Sequence, residues 1–151
     1  MRKSGLVATL AAGMLLLAAC GSESKTIDAA ALADSLATDI SYDDTLEKLG
    51  DDDVSMYIEV PEGVKSYVYM GSGSTAEEVA VFEAPDKDTA VTVKDNVQTY
   101  LDDQSDSFQD YIPEESKRIG NAVLEQKGQY VILCVSGDSD SAKEIIEKAF
   151  K

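Results

Sequence analysis

An α+β fold follows from the hydrophobic periods of this chain: two β-β-α units build one antiparallel sheet, with their helices packed on one face and a further helix at the N-terminus. Three observations lead there. Apolar, β-branched and aromatic runs of strand length occur in two pairs, "VKSYVYM" with "VAVFEA" and "NAVLEQ" with "YVILCV". Each pair precedes a segment whose apolar residues recur at three- and four-residue spacing, the period of a helix. The joints also rhyme. "VAVFEAPDKDTA" (79–90) and "VILCVSGDSDSA" (131–142) match at a constant offset of 52, each passing from a strand through Pro85 or Gly137 into Asp-x-Asp, a hydroxyl residue and an alanine. Strands and helices in that succession pair into an antiparallel sheet with helices laid over it.

The chain begins with an export signal. Arg2 and Lys3 give a positive start, and Leu6 to Ala19 is apolar apart from Thr9 and Gly13. As a helix this stretch spans roughly 21 Å at about 1.5 Å per residue, short of the hydrocarbon core of about 30 Å. It therefore reads as the apolar centre of a signal peptide over residues 1–19, removed on maturation. Leu17-Ala18-Ala19-Cys20 resembles a bacterial lipobox, with cleavage between Ala19 and Cys20 and a diacylglyceryl group on the Cys20 sulfur. Two acyl chains suffice for stable anchoring where one is marginal. Residues 20–26 are the lipidated cysteine and a short polar tether, whose last six residues reach roughly 20 Å at about 3.4 Å each. Residues 27–151 form a single α+β domain.

Within that domain, Ala29, Leu32 and Leu36 mark the first helix, started by Thr26 or Asp28 and ending near Thr38. "YDDTLEKLG" reads as a helical turn closed by Gly50, and "DDDVSMYI" as a short helix from about Asp52, its acidic start suited to the helix dipole. Strands follow at 64–70 and 79–84. Ala90, Val93, Val97, Tyr100, Leu101 and Phe108 then carry a long helix from Asp88 to about Tyr111. Pro113 stops it and opens a short helix, "PEESKRI", at a first turn where its missing N–H costs nothing. "NAVLEQ" and "YVILCV" make a hairpin around Lys127-Gly128-Gln129, and the unbroken Val131–Val135 run reads as a central strand covered on both faces. Ala142, Ile145, Ile146, Ala149 and Phe150 stripe a last helix from about Ser141, where Ser141 and Glu144 have capping-box spacing.

Charge and composition exclude several functions. The chain of 151 residues carries 13 basic and 29 acidic groups and no histidine. Arg2 and Lys3 leave with residues 1–19, so the 132 remaining residues hold 11 basic and 29 acidic groups, a formal charge of −18. Such a body repels nucleic acid. The missing histidine removes Ser-His-Asp and Cys-His catalysis and the histidine zinc sites. With Cys20 lipidated, Cys134 has no partner for a disulfide, and within "YVILCVS" it reads as a buried, inert hydrophobe.

The acidic clusters have structural readings. Asp51, Asp52 and Asp53 lack the spacing of a calcium loop and read as a solvated helix cap. Asp138-Ser139-Asp140 lacks the rest of an EF-hand loop and reads as the cap of the last helix. Asp102, Asp103, Asp106 and Asp110 read as a solvated helix face. "GSGSTAEE" lacks the P-loop lysine and reads as a flexible connection between strands. Ser116 and Lys117 are sequence neighbours, which does not make a Ser-Lys dyad. Tyr67 and Tyr69 share a strand face and half-cover the sheet. No catalytic, metal or cofactor-binding residue is assigned, and no cofactor is expected.

The E-V-A-V-F strand at Glu78 to Phe82, the Tyr111-to-Glu114 step, the K-G-x-Y-V hairpin at Lys127 to Val131 and the D-S-x-x-A helix start at Asp138 together resemble a family of bacterial lipoproteins, the domain-of-unknown-function family 4358. The resemblance covers residues 27–151 and carries no activity. It implies Gram-positive-type placement on the outer leaflet of the cytoplasmic membrane, facing outward. The functional expectation is a lipid-anchored cell-surface binding or interaction module, not an enzyme, whose partner is an envelope protein or small ligand. The alternatives are a small solute-binding lipoprotein of a transporter and a carboxylate- or metal-dependent envelope enzyme.

Overall fold

The computed structural model describes residues 25–151; the signal peptide expected over residues 1–19, with its cleavage point at Ala19 and Cys20, lies outside the described residues. Five antiparallel strands form one sheet in the order β1-β2-β3-β5-β4. They are β1 (Glu47–Lys48), β2 (Lys65–Met70), β3 (Glu78–Glu83), β4 (Val123–Lys127) and β5 (Tyr130–Val135). The helices are α1 (Ala29–Asp39), α2 (Asp51–Val54), α3 (Lys87–Gln109), α4 (Pro113–Gly120) and α5 (Ser139–Ala149). The predicted α+β class and its two β-β-α units are present.

The placement of the helices corrects the expectation of a single covered face. α2, α3 and α4 cover one side through Val54, Val93, Val97, Leu101 and Ile119, which pack on Val68, Ala80, Phe82, Val131 and Leu133. α1 and α5 cover the other, with Leu32, Leu36, Ala142 and Ile146 against Val79, Val81, Ile132 and Cys134. The reason lies in register. β3 pairs with β5 so that Val79 faces Cys134 and Phe82 faces Val131; an odd-numbered residue therefore always pairs with an even one. Side chains alternate faces along each strand, so residues 52 apart, which share parity, point to opposite sides of the sheet. The two strand-turn-helix joints are locally alike: Asp86 caps α3 by accepting from the Thr89 N–H, and Asp138 caps α5 by accepting from Ser141. Like joints on oppositely facing strands send α3 and α5 to opposite faces. Both faces of β3 and β5 are apolar and need this cover, and each fully buried Val, Leu, Ile or Phe contributes about 1.5–3 kcal/mol.

Two local expectations change as well. Residues 41–46 form no helix, and Glu47–Lys48 adds a short edge strand to β2 instead of a helical turn. α5 begins at Ser139 under the Asp138 cap, so Ser141 receives the cap and does not supply one. The other elements agree with their predicted positions, including Asp28 as the α1 cap, Pro113 in the first turn of α4 and a left-handed Gly128 (φ 62°) in the β4–β5 hairpin.

Candidate functional site

Burying a charged group is costly unless it is paired and hydrogen-bonded, so buried carboxyls mark where a fold has accepted that cost for a reason. Among the described residues three carboxyls are buried, Glu77, Glu78 and Glu115, and all lie where β3 begins beside α4. Glu77 precedes β3, and its carboxylate accepts the backbone N–H groups of Asp43 (3.1 Å) and Asp44 (2.8 Å). Glu115, in the first turn of α4, accepts the Ala76 N–H at 2.8 Å. Arg118, one helical turn further on, binds all of this together. Its Nη2 donates to Asp43 Oδ2 at 2.6 Å, while Nη1 lies 3.0 Å from Glu77 Oε1 and 3.3 Å from Glu115 Oε2. Nη1 is aligned with neither oxygen as a hydrogen bond, so there its contribution is Coulombic. The cluster ties α4 to the segment before β1 and to the β2–β3 connection.

That connection, "GSGSTAEE", is anchored at both ends. The Asp44 carboxylate accepts from the Ser72 N–H and hydroxyl, both at 2.7 Å, and from the Thr75 hydroxyl at 3.5 Å. These bonds hold the Asp44 carboxyl below the usual carboxylate range. Gly71 permits the approach, since a Cβ there would stand 2.8 Å from Asp44 Oδ2. The glycine-serine loop thus wraps an anion supplied by the chain itself.

Glu78 differs from its neighbours. It shares the face of Ala80 and Phe82 and is 3 % exposed. Tyr100 of α3 donates its hydroxyl to Glu78 Oε2 at 2.9 Å, and Gln104 Nε2 donates in turn to the Tyr100 oxygen at 3.0 Å. Burial pushes the Glu78 carboxyl up to about 8, with the Tyr100 bond opposing. Burial and the adjacent Glu78 raise the Tyr100 phenol as well. At neutral pH Glu78 is therefore mostly a carboxylic acid. Beside it lies a cavity of about 80 Å³, with Met70, Glu78, Tyr100, Gln104, Phe108 and Ile119 in its walls.

A second concavity, of about 380 Å³, runs between α1 and α5. Ile27, Ala31, Leu32, Ile145 and Ala149 supply its apolar surface, and Asp28, Asp39 and Lys148 are charged groups along it. Thr26, the last residue of the predicted tether, also lines it.

The clusters singled out from sequence are not brought together. Asp51, Asp52 and Asp53 are exposed in the first turn of α2 and make no side-chain cap. Asp102, Asp103, Asp106 and Asp110 are exposed along and just beyond α3. Ser116 hydrogen-bonds to Ser105 at 2.7 Å. Tyr67 and Tyr69 pack on the α1 side of the sheet, and Tyr69 also bonds to Asp34. Cys134 is buried with its sulfur 3.5 Å from the Tyr42 hydroxyl, and burial raises its thiol. Among the described residues no group of three or more His, Cys, Asp or Glu is placed to hold a metal ion, and no helix is long and apolar enough to cross a membrane. From sequence, Glu77 and Arg118 carry no site role, and Glu78 figures only as the start of the E-V-A-V-F strand. One signal is available: Glu78 alternates with Ala80 and Phe82 on a strand whose residues 79–82 are all apolar, which places Glu78 on a covered face.

A family model described as "Domain of unknown function (DUF4358)" matches residues 53–136, which takes in the sheet from β2 to β5 together with α3, α4, Glu77, Glu78 and Arg118. No curated protein and no solved structure matches the chain.

Proposed function

We propose, for a chain that belongs to this family of domains of unknown function, the role of a lipid-anchored cell-surface binding module. Its ligand-facing surface is the concavity between α1 and α5. The observation that carries the reading is the groove itself: about 380 Å³, within the size range of ligand pockets, an apolar floor, charged groups beside it, and the tether entering at Thr26. A diacylglyceryl group on Cys20 and a six-residue tether would hold that groove within roughly 20 Å of the outer leaflet. The ligand suited to it is an envelope molecule with an apolar body and a charged end.

The test uses a photoreactive side chain at Ala31, an exposed residue of the groove, and a second placed at Asp103 on the opposite side of the sheet. Illumination of intact cells is expected to give a discrete adduct from position 31 alone. The same pattern from both positions refutes the groove as the binding surface. Release of the Cys20→Ala protein into the medium, with the native protein retained by cells, is expected for the anchor; equal retention of both refutes it.

The buried carboxyls favour a second reading, a carboxylate-dependent envelope enzyme. Glu77 and Glu115 are occupied by Arg118 and backbone N–H groups, and the cavity beside Glu78 is about 80 Å³, below the size of ligand pockets. Binding is therefore the preferred function.

A further inference from the structure

The cavity beside Glu78 lies at the edge of the core on the α3–α4 side, lined in part by Phe108 and Ile119, and is separate from the α1–α5 groove. We infer that it is a binding site for a primary ammonium group, the –CH₂–NH₃⁺ tip of an amine or of a lysine-like side chain, held by Glu78, Gln104 and Tyr100.

Size, polarity and access support this assignment. A water molecule's share of liquid volume is about 30 Å³, so a space of about 80 Å³ takes a group of two to three heavy atoms. Its uncommitted polar positions are mostly acceptors once Glu78 has given up its proton. Tyr100 spends its only proton on Glu78 Oε2, and Gln104 spends an N–H on the Tyr100 oxygen. That leaves the second Glu78 oxygen, the Gln104 carbonyl and a lone pair on Tyr100 as acceptors, with one Gln104 N–H as the spare donor. An ammonium brings three donors and no acceptor, which suits a set in which acceptors outnumber the one spare amide N–H; the cavity is lined by two carboxyls, Glu77 and Glu78, and by no basic side chain, so the charge it can offer a ligand is negative. Met70, Phe108 and Ile119 supply apolar wall for the attached methylene. Gly73, exposed on the β2–β3 connection, lines the cavity and marks its mouth.

The neutral state of Glu78 gives binding a proton signature. The empty cavity holds a protonated carboxyl; an arriving ammonium favours the carboxylate, and the displaced proton leaves to solvent. No covalent bond forms or breaks apart from that O–H. The ionisable groups around Glu78 are Tyr100 of α3, Tyr57 beyond α2, close enough to Tyr100 to act on it electrostatically, and Glu77 before β3, which Arg118 and Glu115 of α4 engage. Cys134 lies on the opposite face of the sheet. Glu78 is the group among them that burial sets near neutral pH.

The experiment titrates the full chain in detergent micelles with methylammonium chloride at constant ionic strength, following backbone amide NMR shifts. Potassium and tetramethylammonium chloride are the controls. Saturable shifts centred on Glu78, Tyr100 and Gln104 are expected from methylammonium alone. Apparent affinity should strengthen about tenfold per pH unit through the neutral range and level off above about pH 8, because one proton is released. Glu78→Gln, a neutral isostere that keeps the acceptor for Tyr100, should abolish binding, and Gln104→Ala should weaken it. The inference is overturned by an absence of saturation in the native protein above pH 8, by equal shifts from potassium or tetramethylammonium, by a pH-independent affinity, or by undiminished binding in Glu78→Gln. None of these outcomes bears on the groove or the lipid anchor, so this inference and the proposed function fail separately.

Discussion

Replacing Glu78 by Gln should make the protein more stable as the pH rises, relative to the native chain. The Glu78 carboxyl is raised from 4.5 to about 8 by burial, so between those values the folded protein keeps a proton that the unfolded chain releases. Stability falls with rising pH wherever the folded state binds more protons. Glu78 therefore imposes no ionisation penalty below about pH 4.5, a growing one from there to about pH 8, and a constant one above. At about 1.36 kcal/mol per pH unit the total is at most about 5 kcal/mol, of which about 3 is present at pH 7. The amide of the substituted side chain keeps an acceptor for Tyr100 and never ionises. Urea unfolding of both proteins across about pH 4.5 to 9 measures the difference directly, and subtracting the curves cancels the other titrating groups. The Glu78→Gln variant should gain progressively on the native protein and plateau above pH 8. Two curves that stay parallel through this window would refute the assignment of Glu78 as a buried neutral acid.

Arg118→Leu leaves Glu77 and Glu115 buried without their counter-charge, an uncompensated state that typically costs about 3–5 kcal/mol; urea unfolding should show this loss, with partial recovery when Glu77→Gln is added. Asp86→Ala and Asp138→Ala each remove the same kind of helix cap, so calorimetry should find similar drops in Tm that add in the double variant. Both aspartates are held below the ordinary carboxylate value by their serine or threonine partners, so these drops should shrink as the pH falls through the acid range. The Cys134 thiol should resist a disulfide reagent in the native protein and react fully in denaturant, since it is buried and its pKa is raised; rapid labelling of the folded protein would contradict its packing.

Local periodicity carried most of the secondary structure. The apolar stripe of α3, the Pro113 start of α4, the Gly128 hairpin and the Asp28 cap depend on neighbours within a few residues, where spacing is a direct physical signal. Residues 41–46 escape such a reading because their structure is set from a distance. The backbone N–H groups of Asp43 and Asp44 are held by Glu77, and Asp44 is itself engaged by Ser72. The buried site was hidden for the same reason: Glu78, Tyr100 and Gln104 come from β3 and α3, while Arg118 meets Asp43 across 75 residues.

By itself the sequence determined the elements other than β1, the Asp28 and Asp138 caps and the repeated strand-turn-helix joint, because each rests on contacts one turn or one hairpin long. Only the tertiary structure decided which face each helix covers and which carboxyl becomes a neutral acid. The first depends on an odd pairing register between β3 and β5, which sends equivalent residues to opposite sides of the sheet. The second depends on how much water the assembled layers remove from Glu78. Both are properties of segments meeting, which no single segment contains.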